Sequence, residues 1–199
     1  LAAAATAARW CAVSRADALV FLLPLLRQSD ADALRGFSKL FGGSTLSSAS
    51  SVAVLSKVDR LAKGGDPMLA AAPIAGRVAA ELRGVVSGVI PVIGLLAETA
   101  QAAVFTEADA LALAAVAAVD DPLDRDDMLL TSDDFLGFDG LDLERSQRAR
   151  LLSMLDLYGL KVAVRAADGG ARTASDFLKV FDEASGFASL REVVVQRFA

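Results

Sequence analysis

Ser51-Val52-Ala53-Val54-Leu55-Ser56-Lys57-Val58-Asp59 is the stretch whose reading decides the fold. An apolar run, β-branched at Val52 and Val54, ends in Ser-Lys-Val-Asp. So short a run without polar alternation reads as a strand buried on both faces, as in a parallel sheet. Similar runs lie on either side. Residues 18–23 predict a strand buried on both faces and closed by Pro24, and residues 88–93 predict a third strand. Helical segments fill the gaps. Residues 2–13 read as an Ala-rich helix with Trp10 and Val13 as packing residues. Ser29-Asp30 reads as the cap of a helix through Leu34 and Leu40, ended near Gly42-Gly43, and residues 44–50 as a polar loop. Residues 63–67 read as a turn, and 68–83 as a helix weakened by Pro73 and Gly76. A helix from Leu95 to about residue 103 follows the third strand. This alternation predicts a parallel sheet with right-handed crossovers.

From Thr106 onward the pattern is helical only. Residues 107–119 form one expected helix, with Thr106 as N-cap. Residues 120–142 hold nine aspartates against the single basic Arg125, and read as a solvated, partly flexible connector with a short helix at 132–136. Residues 143–167 read as a long helix bent near Gly159 and stopped by Asp168-Gly169-Gly170. Thr173 with Asp176, and Ser189 with Glu192, have capping-box spacing and predict two more helices separated at Gly186. The expected division is therefore 1–104, an α/β part, and 105–199, an all-α part that includes the acidic connector.

Composition narrows the chemistry. The apolar fraction of 54% suffices for a buried core. A net charge of −5 argues against nucleic-acid binding. There is no histidine, which removes His-based triads and histidine metal sites. The single Cys11 cannot form an internal disulfide and fits a reducing cytoplasm. The connector lacks the Asp-x-Asp-x-Asp-Gly order of a calcium loop. Two apolar stretches invite a membrane reading. Residues 19–26 lie behind a long Ala-rich lead with no small-residue cleavage site directly after them. Residues 85–104 contain Pro91, Gly94 and Glu98, which suit a strand running into a helix better than a span.

The residues that carry chemistry are Ser56, Lys57, Asp59 and Gly94. Guanine presents two adjacent donors, N1–H and the N2 amine. A carboxylate such as that of Asp59 accepts both, and charge-assisted bidentate bonds are strong and directional. Adenine lacks that pair, so the same carboxylate discriminates against it. Lys57 can lay its stem along a base and direct its ammonium towards phosphates. Ser56 supplies a hydroxyl where such loops more often carry an amide or threonine. A plain surface turn fits the same four letters; the strand before and the strand after favour a binding loop. Gly94 follows the third strand, where a loop donating a backbone N–H to the base would lie, and glycine permits close approach and positive φ there. An ordinary strand-to-helix turn explains Gly94 equally well.

Several segments together resemble the actinobacterial dynamin-like GTPases, the family that includes the isoniazid-inducible proteins. They are Ala16-Asp17-Ala18-Leu19-Val20-Phe21 with Ser29-Asp30, Val54-Leu55-Ser56-Lys57-Val58-Asp59, Val89-Ile90-Pro91-Val92-Ile93-Gly94-Leu95-Leu96-Ala97-Glu98, and Ser185-Gly186-Phe187-Ala188-Ser189-Leu190-Arg191-Glu192-Val193 leading to Arg197-Phe198. The resemblance implies an α/β fold with a partial parallel sheet of the P-loop GTPase type, followed by the start of a helical stalk. It assigns base recognition to Lys57 and Asp59, a variant first position to Ser56, and the last nucleotide loop to Gly94. It implies GTP or GDP as ligand, self-association of the parent protein, and peripheral membrane contact through the helices at the cytoplasmic face. The chain begins at Leu1 and contains no Gly-x-x-x-x-Gly-Lys-Ser/Thr. It is therefore expected to be an internal piece, inactive alone, with Mg²⁺ bound only when the missing half is present. A second reading, from a different class, is a non-catalytic interaction module on a degenerate nucleotide fold.

Overall fold

The computed structural model describes residues 19–24, 51–61 and 65–198, with side chains described to residue 196. The expected helix at 2–13, the one following Ser29-Asp30, the loop at 44–50 and Cys11 lie outside the described residues. The described residues divide into two compact units: those up to Val92 together with those from Ser189, and Ile93–Ala188.

The first unit holds the sheet. Strands β1 (Leu19–Pro24), β2 (Ser51–Ser56) and β3 (Val89–Val92) lie in the order β1-β2-β3, all parallel. Between β2 and β3 runs helix α1 (Pro67–Glu81). Asp66 caps α1 by accepting from Met68 N at 2.8 Å, and Pro67 occupies the first turn, where its missing N–H costs nothing. The helix continues through Pro73 and Gly76. Parallel register sets Phe21 beside Ala53 and Ala53 beside Val89. Leu23, Ala53, Val78, Leu82 and Val86 bury together, with Phe21, Ile74, Val85 and Val89 packed against them. α1 therefore covers one face of the sheet with its Val78 stripe. β2 is buried from Ser51 to Leu55, as its unbroken apolar run predicts.

β1 corrects the expectation of burial on both faces. Its burial alternates, and Val20 and Leu22 are 48% and 69% exposed. The apolar run is continuous, but β1 is the edge of the described sheet, so only its Phe21–Leu23 face meets the core.

The second unit is helical: α2 (Gly94–Gln101), α3 (Glu107–Ala117), α4 (Pro122–Met128), α5 (Ser132–Gly137), α6 (Arg145–Asp168) and α7 (Ala174–Ser185). A last helix, α8 (Phe187–Phe198), begins here, and its residues from Ser189 group with the first unit. Phe105, Phe177 and Phe181 form the aromatic centre, with ring centroids 5.6 to 6.2 Å apart. Several of the helix starts are capped by side chains. Thr106 and Asp109 form a reciprocal box at α3, as Thr173 and Asp176 do at α7. Glu107 adds a second cap to α7, its carboxylate accepting from Ala174 N at 3.1 Å.

Three expectations are corrected in this part. The acidic connector has the short helix expected at 132–136, as α5 capped by Thr131, but it also contains α4, capped by Asp121, where flexible chain is expected. Buried Arg148 fastens it to α6 by donating to the carbonyls of Phe135, Leu136, Phe138, Leu141 and Leu143. The break in α6 falls at Asp156 rather than Gly159. Gly159 serves packing instead, since a Cβ there would lie 2.8 Å from both Leu155 and Leu96 side-chain atoms. Finally, α8 starts at Phe187, so Ser189 lies inside the helix and does not cap it. Gly186, at φ 73°, separates α7 from α8 as expected.

Candidate functional site

The Ser-Lys-Val-Asp loop leaves the carboxyl end of β2, the middle strand of the described sheet. Register aligns Pro24, Ser56 and Val92, so all three strands end at one edge. In open parallel sheets that edge is where ligands bind. Ser56 is half-buried as the last residue of β2. Lys57 then adopts φ 59°, ψ 32°, the left-handed region, which a lysine enters only at a cost. This reversal drops the chain into a short 3-10 turn, Val58–Arg60, closed by Leu61 N donating to Val58 O at 2.9 Å.

Val58 is wholly buried and anchors the turn. Its neighbours face outward: Lys57 is exposed and Asp59 half-buried. Neither the ammonium of Lys57 nor the carboxylate of Asp59 has a hydrogen bond or ion pair among the described residues. A capping or salt-bridge role would consume these groups. Among the described residues both are unpaired, on a turn whose backbone is held by a buried strand on one side and a buried valine within it. The arrangement can accept a pair of donors at Asp59 while Lys57 offers a cation and an apolar stem.

Gly94 belongs to the second unit, two residues beyond Val92. It is the first residue of α2, and its φ is not positive. A Cβ at this position would meet nothing within 4 Å, so neither strain nor crowding within the protein demands glycine. No side chain caps α2 at Ile93, and the first N–H groups of a helix lack intrahelical partners. Ser56, Lys57 and Asp59 are thus brought together on one turn, and Gly94 starts the helix after the next strand.

An open depression of about 810 Å³ that the sequence did not disclose lies in the acidic connector, lined by Asp124, Asp127, Asp133, Asp134 and Asp139 with Met128 and Phe138 among its apolar residues. The Asp-rich composition was visible; the folding of α4 and α5 around a hollow was not, because their caps are single residues in a polar stretch. Among the described residues, no three carboxylate or cysteine side chains converge to hold a metal ion. No helix among them is long and apolar enough to cross a membrane.

The chain is similar to the isoniazid-induced protein IniC from two strains of Mycobacterium tuberculosis, 34% identical over 191 residues in each. The match takes in 94% of this chain, so it includes both the strand-loop segment and the helices, and 38% of the relative's length. The chain thus spans well under half of the curated relatives it matches. No protein-family profile matches it, and no solved structure does.

Proposed function

We propose that this chain is the base-recognition portion of a guanine-nucleotide-binding protein of the dynamin-like type. The observation that carries this reading is the loop after β2: left-handed Lys57, buried Val58 and a free Asp59 carboxylate at the carboxyl edge of a parallel sheet. Asp59 accepts the two adjacent donors of guanine, Lys57 lies along the base, and Ser56 contributes one hydroxyl bond. Similarity to IniC over nearly the whole chain supports the family side of the reading. In this proposal GTP or GDP is the ligand. The phosphate loop and the residues that hold Mg²⁺ come from outside these 199 residues, which contain no Gly-x-x-x-x-Gly-Lys-Ser/Thr. The helical part belongs to a stalk through which the parent protein associates with itself and with the cytoplasmic face of a membrane.

The test is base selectivity in the intact parent protein. Asp59→Asn places an amide donor against guanine's own donors, which costs on the order of 2–3 kcal/mol of GTP binding. Xanthine, which offers an acceptor in place of the N2 amine, binds the variant better than it binds the native protein. Titrations of both proteins with GTP and XTP measure this. Equal GTP affinity in the two would remove Asp59 from the site and with it the proposal.

A further inference from the structure

Asp156 interrupts α6 with φ 54° and ψ 179°, a conformation for which only glycine is at ease. It is exposed, and the bond it makes is local, its own Oδ1 accepting from Leu157 N at 2.7 Å. The break also frees carbonyls that a continuous helix would use. Buried Thr99 on α2 donates its hydroxyl to one of them, Met154 O. Gly159, just past the break, is pressed against Leu155 and Leu96 with no room for a Cβ. The bend is therefore strained at one residue and held by α2.

The segment before the break is tied together internally, within the second unit. Arg148 binds five carbonyls between Phe135 and Leu143, locking the connector to the first half of α6. Met128, Leu129, Phe135, Leu141 and Leu151 are buried in the same stretch. Its polar ties to the rest of the second unit are few. Thr99 holds Met154 O; Arg150, half exposed, pairs with Asp109 and donates to Val104 O; and Arg125 bridges to exposed Asp168 and to Val119 O. The Arg125–Asp168 pair, with Asp168 exposed, holds weakly, whereas the bidentate Arg150–Asp109 pair has its carboxylate buried and acts with Thr99 to hold the bent position. The chain enters the body at Val119–Asp121 and leaves it at Asp156, so both crossings lie at element ends where dihedral change is absorbed.

From this geometry we infer that residues 120–155 swing as one body about Asp156, with Thr99 as the latch of the bent position. Strain at Asp156 is relieved when α6 re-angles, and the latch and the packing of Leu96 under Gly159 oppose that release. Strain and latch act in opposite directions, so loss of either shifts the angle.

Spin labels at Ser146→Cys and Arg165→Cys, both exposed, read the angle by pulsed electron resonance in the full chain with Cys11→Ser. Each arm of α6 is about 15 Å long at the helical rise, so re-angling moves the label distance by roughly 5 Å or more. Thr99→Val and Asp156→Ala are expected to populate the second distance at the expense of the first. Asp156→Gly, which accepts φ 54° freely, is expected to narrow the distribution onto the bent distance and raise the melting temperature. Superimposable distributions for the native chain, Thr99→Val and Asp156→Ala overturn the proposal. Should those two variants fail to fold, an Asp156→Gly distribution and melting temperature equal to the native ones overturn it instead.

Discussion

Lys57, Arg148 and Asp176 show how single residues divide between holding the fold and standing ready for something else. Lys57 is a cation in a left-handed backbone position with no partner among the described residues. Lys57→Gly separates its two properties. Relief of left-handed strain, about 1 kcal/mol, is offset by a similar gain in unfolded-state freedom. Thermal stability is thus expected to stay within about 1 kcal/mol of native while nucleotide affinity of the intact protein falls. Unchanged affinity by titration would show that the ammonium does not touch the ligand. Arg148 is the opposite case: buried, with its donors spent on carbonyls of its own chain. Arg148→Met leaves several of those carbonyls unpaired and is expected to cost about 2–4 kcal/mol in denaturant unfolding. Asp176 accepts from the backbone N–H groups of Thr173 and Arg172 and from the Thr173 hydroxyl, and these bonds lower its pKa to about 2. Because the folded value lies below the ordinary carboxylate value near 4, its stabilisation is complete above that pH and is lost as pH falls towards 2. Asp109 adds to the same acid sensitivity. Burial pushes its carboxyl up, but bonds from Arg150 and Thr106 outweigh burial and hold it below the usual value. Melting curves of native protein and Asp176→Asn should therefore converge as the solution is acidified through that window; a constant difference would contradict the cap assignment.

At the level of elements, the segments that the sequence disclosed best are those with local chemistry. The cap at Thr173, the stop at Gly186 and the unbroken Val52–Leu55 run each act within a few residues, and each appears where its pattern predicts. The Ser-Lys-Val-Asp turn was legible for the same reason: a strand exit followed by a buried valine fixes it locally. What depends on distant partners was not legible. β1 has the same apolar letters as β2, and only its place at the edge of the described sheet exposes Val20 and Leu22. The bend in α6 that the sequence predicts near Gly159 lies three residues earlier, at Asp156; the contacts of Thr99 and Leu96 from another helix that accompany it were not legible. Gly94 in the sequence fits a loop residue near a ligand and an ordinary strand-to-helix turn equally, and it opens a helix without a positive φ. α1 illustrates a local penalty overridden by packing. Pro73 and Gly76 sit within it, yet Ala71, Ala75 and Val78 bury its inner face and keep it helical. Gly76 is exposed, and a Cβ there meets nothing within 4 Å. Gly76→Ala is accordingly expected to stabilise the chain by about 0.5–1 kcal/mol, read as a higher denaturant midpoint with unchanged slope. A lower midpoint would mean that α1 is not helical at that turn.

For the whole molecule, the governing fact is an apolar sheet whose edge strand pairs on one side only among the described residues. β1 hydrogen-bonds to β2, and its other edge has no partner there. That edge carries Val20 and Leu22, exposed at 48% and 69%. Natural edge strands are usually blunted by lysine, proline or a bulge, and β1 has only Pro24 at its end. A parallel strand of Val and Leu is a template for another strand, and its exposed face adds apolar area that burial would stabilise. The chain spans 38% of the length of the relatives it matches. The 199-residue chain is therefore expected to self-associate. Under the proposed function, a chain extended upstream to take in the parent's phosphate loop is expected to be a discrete folded species under the same conditions. Leu22→Lys separates edge pairing from general insolubility. A charge at the centre of the exposed face blocks pairing while leaving the Phe21–Leu23 face against Val78 and Leu82 intact. Size-exclusion chromatography coupled to light scattering should show association suppressed by Leu22→Lys and by the upstream extension, with each alone sufficient. A monodisperse monomer from the unmodified 199 residues, melting cooperatively, would show that this sheet is complete as it stands and would also remove the structural reason for seeking a phosphate-binding half beside it.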